Sequence, residues 1–160
     1  MIRRRRIRAD RHGRFRLVLT EPERSLLSRL PTQAAALLAD GDPSTTRVFP
    51  VAYPADSAAE ADFRRLMGSE LLAAQQEALA TMAATADRRT LDAEELDRWL
   101  SALEVLRLVL GTQLDVTEDH ALVDADDPQA PAFALYHYLS ALQDDAVEAL
   151  SATLGEPTGD

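Results

Sequence analysis

The segment 92–114 constrains the fold of this chain more than any other stretch. Asp92, with a glutamate three residues later, forms the capping-box pattern that is typical of a helix start. The first half of the segment is amphipathic, whereas residues 105–110 are apolar on every side except at Arg107. A helix that is apolar all round has to be covered by neighbouring elements. The segment is therefore predicted to be the central helix of a helical domain.

Other segments also show helical periodicity. A pattern over residues 20–41 begins at Thr20 with a capping box, and Pro31 is predicted to divide it into two short helices because proline removes a helical hydrogen bond. A second pattern runs from Ser57, its predicted cap, to about Ala86, and a third begins at Pro131. These elements predict a mainly α fold with bundle-like packing.

Residues 41–56 separate two of the helical patterns and contain three prolines. Such a stretch is expected to form neither a helix nor a central strand. Phe49 and Tyr53 predict that this loop packs onto the core.

Residues 2–20 are predicted to form a β-hairpin. Phe15, Leu17 and Leu19 occur at every second position, which is the period of a strand with one buried face. Gly13 supplies the turn, and an isolated hairpin is marginal in water, so this one has to pack against helices. We therefore expect one compact helical domain over residues 1–154 with a small N-terminal hairpin, followed by a disordered tail at 155–160.

The composition excludes several classes of protein. The 160 residues contain no cysteine and three dispersed histidines, which excludes disulfide scaffolds, thiol catalysis and cysteine-ligated metals and disfavours a histidine metal site. There is no glycine-rich phosphate loop and no nucleophile elbow. No apolar run approaches the length of a membrane span, and the first residues do not resemble a secretory signal. These absences leave an enzyme unsupported but do not exclude one, and the expectation is a non-enzymatic protein without catalytic residues, cofactor or metal.

Charge is distributed very unevenly along the chain. All 17 basic residues are arginines, and eight of them fall in the first sixteen residues beside a single acid, whereas the remainder has nine arginines and 26 acids. This basic arm predicts either a contact with a partner or nucleic acid, or a set of ion pairs that covers the acidic body. The candidate contact residues are Arg3, Arg4, Arg5, Arg6, Arg8, Arg14 and Arg16.

The internal ion pairs are the favoured interpretation of the arm, because the acidic body would repel DNA beyond it. The expectation for nucleic acid is weak, non-specific DNA binding at most. A protein partner is expected instead, and homo-oligomer formation remains open.

Arg107 needs a partner because it lies in the apolar half of segment 92–114. An unpaired buried charge is costly. A structural ion pair with Glu104 is the preferred prediction, with Glu118 or Asp119 as other internal partners. The alternative is a carboxylate on a ligand or on a partner protein.

Several strings together resemble a known family. They are residues 26–31 (LLSRLP), 47–54 (RVFPVAYP), 63–67 (FRRLM), 106–114 (LRLVLGTQL) and 134–139 (ALYHYL). In order and spacing they resemble an actinobacterial family long catalogued as a domain of unknown function and also labelled AosR-like, after an oxidative-stress regulator. The resemblance covers nearly the whole chain, including the basic hairpin.

The resemblance implies a cytoplasmic, transcription-associated regulator that works with a sigma factor and senses oxidation through a cysteine pair. Since this chain has no cysteine, the disulfide switch cannot be carried over. The resulting expectation is a non-enzymatic regulatory interaction protein with a protein partner. The alternative is a small adaptor or scaffold without nucleic-acid contact.

Overall fold

The computed structural model describes residues 3–49, 51–114 and 126–155. Helices account for 72% of the described residues, which confirms the prediction of a mainly α fold with a small N-terminal hairpin. In chain order the elements are β1 Ile7–Ala9, β2 Phe15–Leu17, α1 Glu21–Asp40, a 3₁₀ helix Pro43–Val48, α2 Ser57–Thr85, β3 Thr90–Leu91, α3 Ala93–Gln113 and α4 Ala130–Leu154.

Helix α3 lies at the centre of the fold, as its apolar second half predicts. It packs against α2, against α4 and against the 3₁₀ helix. Trp99, Leu96 and Leu103 are fully buried along it. The indole N–H of Trp99 donates to Thr85 Oγ1 at 2.7 Å, so the one polar atom of this large side chain is satisfied inside the core.

The hairpin forms with the predicted turn, since Gly13 adopts a φ of 74°. Its strands pair antiparallel with Ile7 opposite Leu17, and both of these side chains are buried against the helices. The third strand, β3, was not predicted; it pairs antiparallel with β2. A two-residue strand is too short to show a periodic pattern.

The predicted break at Pro31 is wrong, because α1 is continuous through it. Pro31 is buried on the same side of the helix as Leu27, Ala34 and Leu38. An interior proline costs roughly 3 kcal/mol. Packing of this apolar face against the core offsets that cost, since tertiary contacts contribute most of the stability of a helix in a protein.

The segment before α2 also differs from its prediction. A 3₁₀ helix forms where only loop is expected, with Pro43 in its first turn, a position that needs no N–H donor. Phe49 packs against the core as predicted, whereas Tyr53 is 48% exposed and meets the ring of Phe63 edge-on.

The cap of α2 is Asp56 rather than the predicted Ser57. Its carboxylate accepts hydrogen bonds from the backbone N–H groups of Ala58 and Ala59. Glu60, in the first turn of α2, accepts a hydrogen bond of 2.8 Å from the backbone N–H of Tyr53. Aspartate and serine are comparably good caps, so a one-residue shift is easily missed.

Among the described residues, no helix is both long enough and apolar enough to cross a bilayer. Residues 115–125 and residues 156–160 of the predicted disordered tail lie outside the described residues.

Candidate functional site

Asp145 anchors the start of the basic arm to α4. Its side chain is 1% exposed, and it forms an ion pair with the guanidinium of Arg3. Its second oxygen accepts a hydrogen bond of 2.9 Å from the backbone N–H of Arg6. A buried carboxylate requires such partners because it has lost its hydration. The residues that lead into β1 are therefore held on α4 by a side chain and by the backbone.

Two further ion pairs hold the arm on the helices. Arg5 pairs with Glu148 of α4, and Arg6 pairs with Glu23 at the start of α1. The Arg6 guanidinium also lies 5.0 Å from the ring centroid of Tyr138, within cation–π range. These pairs cover part of the acidic surface from within the molecule.

Glu23, like Asp145, accepts a hydrogen bond from an arginine side chain and one from the backbone. Burial alone raises the pKa of a carboxyl group, but Glu23 also accepts hydrogen bonds from the backbone N–H of Thr20 and from Arg6. The hydrogen bonds prevail, so the pKa of Glu23 lies below its ordinary value. One residue thus caps α1 and binds the arm.

The remaining candidate arginines, Arg4, Arg8, Arg14 and Arg16, are exposed. Among the described residues, none of them has a carboxylate oxygen within 4.0 Å. Arg14 donates to the hydroxyl of Thr90 at 3.2 Å. The seven predicted contact residues therefore fall into two groups, of which one is used internally and the other faces solvent.

The structure corrects the predicted ion pair between Arg107 and Glu104. Arg107 points to α4, where it donates to Ser140 Oγ at 2.9 Å and to Gln143 Oε1. Its guanidinium lies 5.5 Å from the ring centroid of Tyr136. Neutral acceptors and an aromatic face satisfy this half-buried cation, so it needs no carboxylate from its own helix. The other predicted partners, Glu118 and Asp119, lie outside the described residues.

An apolar cleft opens at the end of the molecule where α2 begins. It has a volume of about 450 Å³ and lies between the first half of α2, the middle of α3 and the chain after the 3₁₀ helix. Leu71 is 37% exposed there and Val51 is 52% exposed. The lining consists of Arg47, Val48, Phe49, Val51, Ala52, Phe63, Leu71, Gln75, Ser101, Glu104, Val105 and Leu108.

Two features of this region, the buried Asp145 and the apolar cleft, were not predicted from the sequence. Asp145 lies in the apolar stripe of α4 between Leu142 and Ala149, at spacings of three and four residues. A charge at such a position is a signal of a buried partner. The cleft left no comparable signal, because Phe63, Met67 and Leu71 show the spacing of an ordinary core face.

The carboxylates with a perturbed pKa serve local structure. The pKa of Asp10 lies below its ordinary value because the backbone N–H groups of Arg14 and His12 donate to it. The pKa of Glu60 is lowered mainly by the hydrogen bond from the backbone of Tyr53. The described residues contain no group of three side chains placed to bind a metal ion.

Comparison with known proteins places the chain in a family. It matched none of the curated proteins and none of the solved structures with which it was compared. The model of a domain of unknown function, DUF2017, matches residues 3–150, which include the basic arm, the cleft and the anchor on α4. The chain therefore belongs to the DUF2017 family.

Proposed function

We propose that the protein is a non-enzymatic, cytoplasmic regulatory protein of the AosR-like type that binds a protein partner in the apolar cleft. The observation that carries the proposal is the exposure of large apolar side chains, such as Leu71 and Val51, around a single concavity. Large apolar side chains that remain accessible around a concave surface are typical of binding sites.

The shape and chemistry of the cleft favour a segment of a protein over a polar metabolite. Its floor is formed by aliphatic and aromatic side chains, including Phe49, Phe63 and Val105. Four of its twelve lining residues are polar, namely Arg47, Gln75, Ser101 and Glu104. Such a groove suits the apolar anchors of an amphipathic helix, which supply most of the binding energy in helix-in-groove complexes.

Regulation in this chain is proposed to act through binding and not through thiol oxidation, because there is no cysteine to oxidise. Methionine supplies the only side-chain sulfur within the helices. Met82 is fully buried in the core, whereas Met67 is 39% exposed on α2. Peroxide at doses that oxidise ordinary thiols is therefore expected to leave the oligomeric state and the helical content unchanged.

Two kinds of partner fit the proposal. By resemblance, the first is a sigma factor or another component of transcription. The second makes the protein an adaptor or scaffold outside transcription, without nucleic-acid contact. The identity of the protein retained by the cleft distinguishes them, because the proposed contact requires no DNA in either case.

The test is affinity capture from native lysate with the intact chain and two matched variants, followed by titration of the purified partner. Leu71→Asp places a charge in the cleft, whereas Leu66→Asp places the same charge at a position of α2 that is 69% exposed and does not line the cleft. The protein retained by the wild type and by Leu66→Asp should bind Leu71→Asp about tenfold or more weakly. Equal binding to all three chains, or no retained protein, would contradict the proposal.

A further inference from the structure

The outer face of the hairpin carries a pair of like charges that the fold does not compensate. Arg8 of β1 and Arg16 of β2 are directly opposite each other in the register, and both are exposed. Directly opposed residues of an antiparallel pair have Cα atoms roughly 5 Å apart. Like charges at that spacing destabilise a sheet.

Carboxylates of α1 and α4 compensate other arginines of the arm. Asp145, Glu148 and Glu23 each pair with an arginine of residues 3–6, only a few positions away. Among the described residues, no carboxylate oxygen lies within 4.0 Å of Arg8 or Arg16. The Nε–H of Arg8 donates to the backbone oxygen of Arg5 at 3.2 Å. The remaining N–H groups of the two guanidinium groups can donate to an external anion.

These two arginines line a concave site and not a flat surface. A cavity of about 640 Å³ lies between the hairpin and the last turns of α4. We call it the hairpin cavity, and its lining consists of Arg8, Ala9, Asp10, Arg11, His12, Arg16, Thr90, Ala152 and Thr153. A volume of this size is in the range of small-molecule sites.

The charges around the hairpin cavity favour an anion. Its lining contains three arginines and a single carboxylate, that of Asp10. Asp10 Oδ1 already accepts hydrogen bonds from the backbone N–H groups of His12 and Arg14, at 2.7 and 2.9 Å. The carboxyl end of α4 contributes the equivalent of about half a negative charge. The cavity therefore keeps a net positive charge.

We propose that the hairpin cavity binds a small phosphate-bearing ligand, with Arg8 and Arg16 holding the phosphate between them. A phosphate group concentrates two negative charges and several acceptor oxygens at one point, so it can serve two adjacent guanidinium groups at once. The hydroxyl of Thr90, directly opposite Arg16 in the sheet, adds a neutral group at the same site.

The charge of the remaining chain favours a small ligand over duplex DNA. Beyond residue 16 the chain has 26 acids and nine arginines. An extended polyanion that followed the hairpin would meet this acidic body, whereas a ligand confined to the hairpin cavity would not. This inference goes beyond the proposed function, because it concerns a different surface from the cleft.

The test is isothermal titration calorimetry of the intact chain with pyrophosphate and with ATP. Citrate serves as an anion that bears carboxylates only, and a short DNA duplex is the polyanion. Arg8→Gln and Arg16→Gln each remove one guanidinium from the cavity. Arg29→Gln makes the same change at an exposed arginine of α1 that does not line it.

Pyrophosphate and ATP should bind the wild type and Arg29→Gln equally, and should bind either cavity variant roughly tenfold or more weakly, the effect of losing charge-assisted hydrogen bonds. Thermal unfolding of all three variants should stay near that of the wild type, because none of these side chains is buried. Absence of binding, citrate binding as tight as pyrophosphate, or loss of affinity in Arg29→Gln would overturn the proposal. Tighter binding of duplex DNA than of ATP at physiological salt would also overturn it, in favour of a nucleic-acid site.

Discussion

The two parts of the basic arm use the same side chain in opposite ways. In residues 3–6, three arginines pair with carboxylates of α1 and α4, one of which is fully buried. In residues 8–16, the arginines project from the outer face of the hairpin, and no carboxylate of the described residues neutralises them. The number of arginines in the arm therefore does not indicate their role. Whether an arginine is used internally depends on where the carboxylates lie.

The largest expected effect is a loss of stability that tests whether the arm is attached to the helices by apolar contacts or by ion pairs. Leu17, the last residue of β2, is 3% exposed and packs in the hydrophobic core. Leu17→Ala should lower the free energy of unfolding by about 2–5 kcal/mol, because it leaves a cavity in close-packed surroundings. Chemical denaturation measures this change, with Val147→Ala as a control at a residue of α4 that is 49% exposed. A loss below about 1 kcal/mol would contradict docking through the apolar face.

The next effect distinguishes a buried ion pair from an exposed one. If both were ordinary surface ion pairs, the loss of Arg3 or of Arg5 would lower the free energy of unfolding by only about 0–1 kcal/mol. Arg3 is expected to differ because its partner Asp145 is buried. Loss of the Arg3 guanidinium leaves this buried carboxylate with one partner fewer. Arg3→Gln should cost about 1–3 kcal/mol, whereas Arg5→Gln should stay within the surface range. Equal costs in denaturant titrations of the two variants would contradict the buried anchor.

A smaller effect on stability should be visible at acidic pH. The pKa of Glu23 is below its ordinary value of 4.5 in the folded state, so its contribution to stability is fully present above about that pH. The contribution is lost as the pH falls through the lower, folded value. Glu23→Gln should therefore flatten the fall in melting temperature between about pH 5 and pH 3. Glu21→Gln, at the exposed first residue of α1, provides the control and should retain the slope of the wild type.

The elements with strong local patterns could be predicted from the sequence. The central position of α3 follows from its all-round apolar half, and the hairpin follows from its alternation and from Gly13. The predicted break at Pro31 is wrong because tertiary packing overrides the local propensity on which it rests.

The candidate sites depend on contacts between distant parts of the chain, which local patterns do not encode. Asp145 meets Arg3 across 142 positions of sequence, and no local rule links them. Local spacing predicts Glu104 as the partner of Arg107, whereas its acceptors Ser140 and Gln143 lie on another helix. The first half of α2 is mostly exposed, and the cleft beside it depends on how α2 and α3 are assembled with the 3₁₀ helix.

The division of the arm can be tested most directly by comparing Arg3→Gln with Arg16→Gln in two measurements, the free energy of unfolding and the dissociation constant for pyrophosphate. Arg3→Gln should lose stability and keep its affinity within about twofold, since Arg3 does not line the hairpin cavity. Arg16→Gln should keep its stability, or gain a few tenths of a kcal/mol from relief of the like-charge pair, and lose affinity by about tenfold. Similar behaviour of the two variants in both measurements would contradict the account.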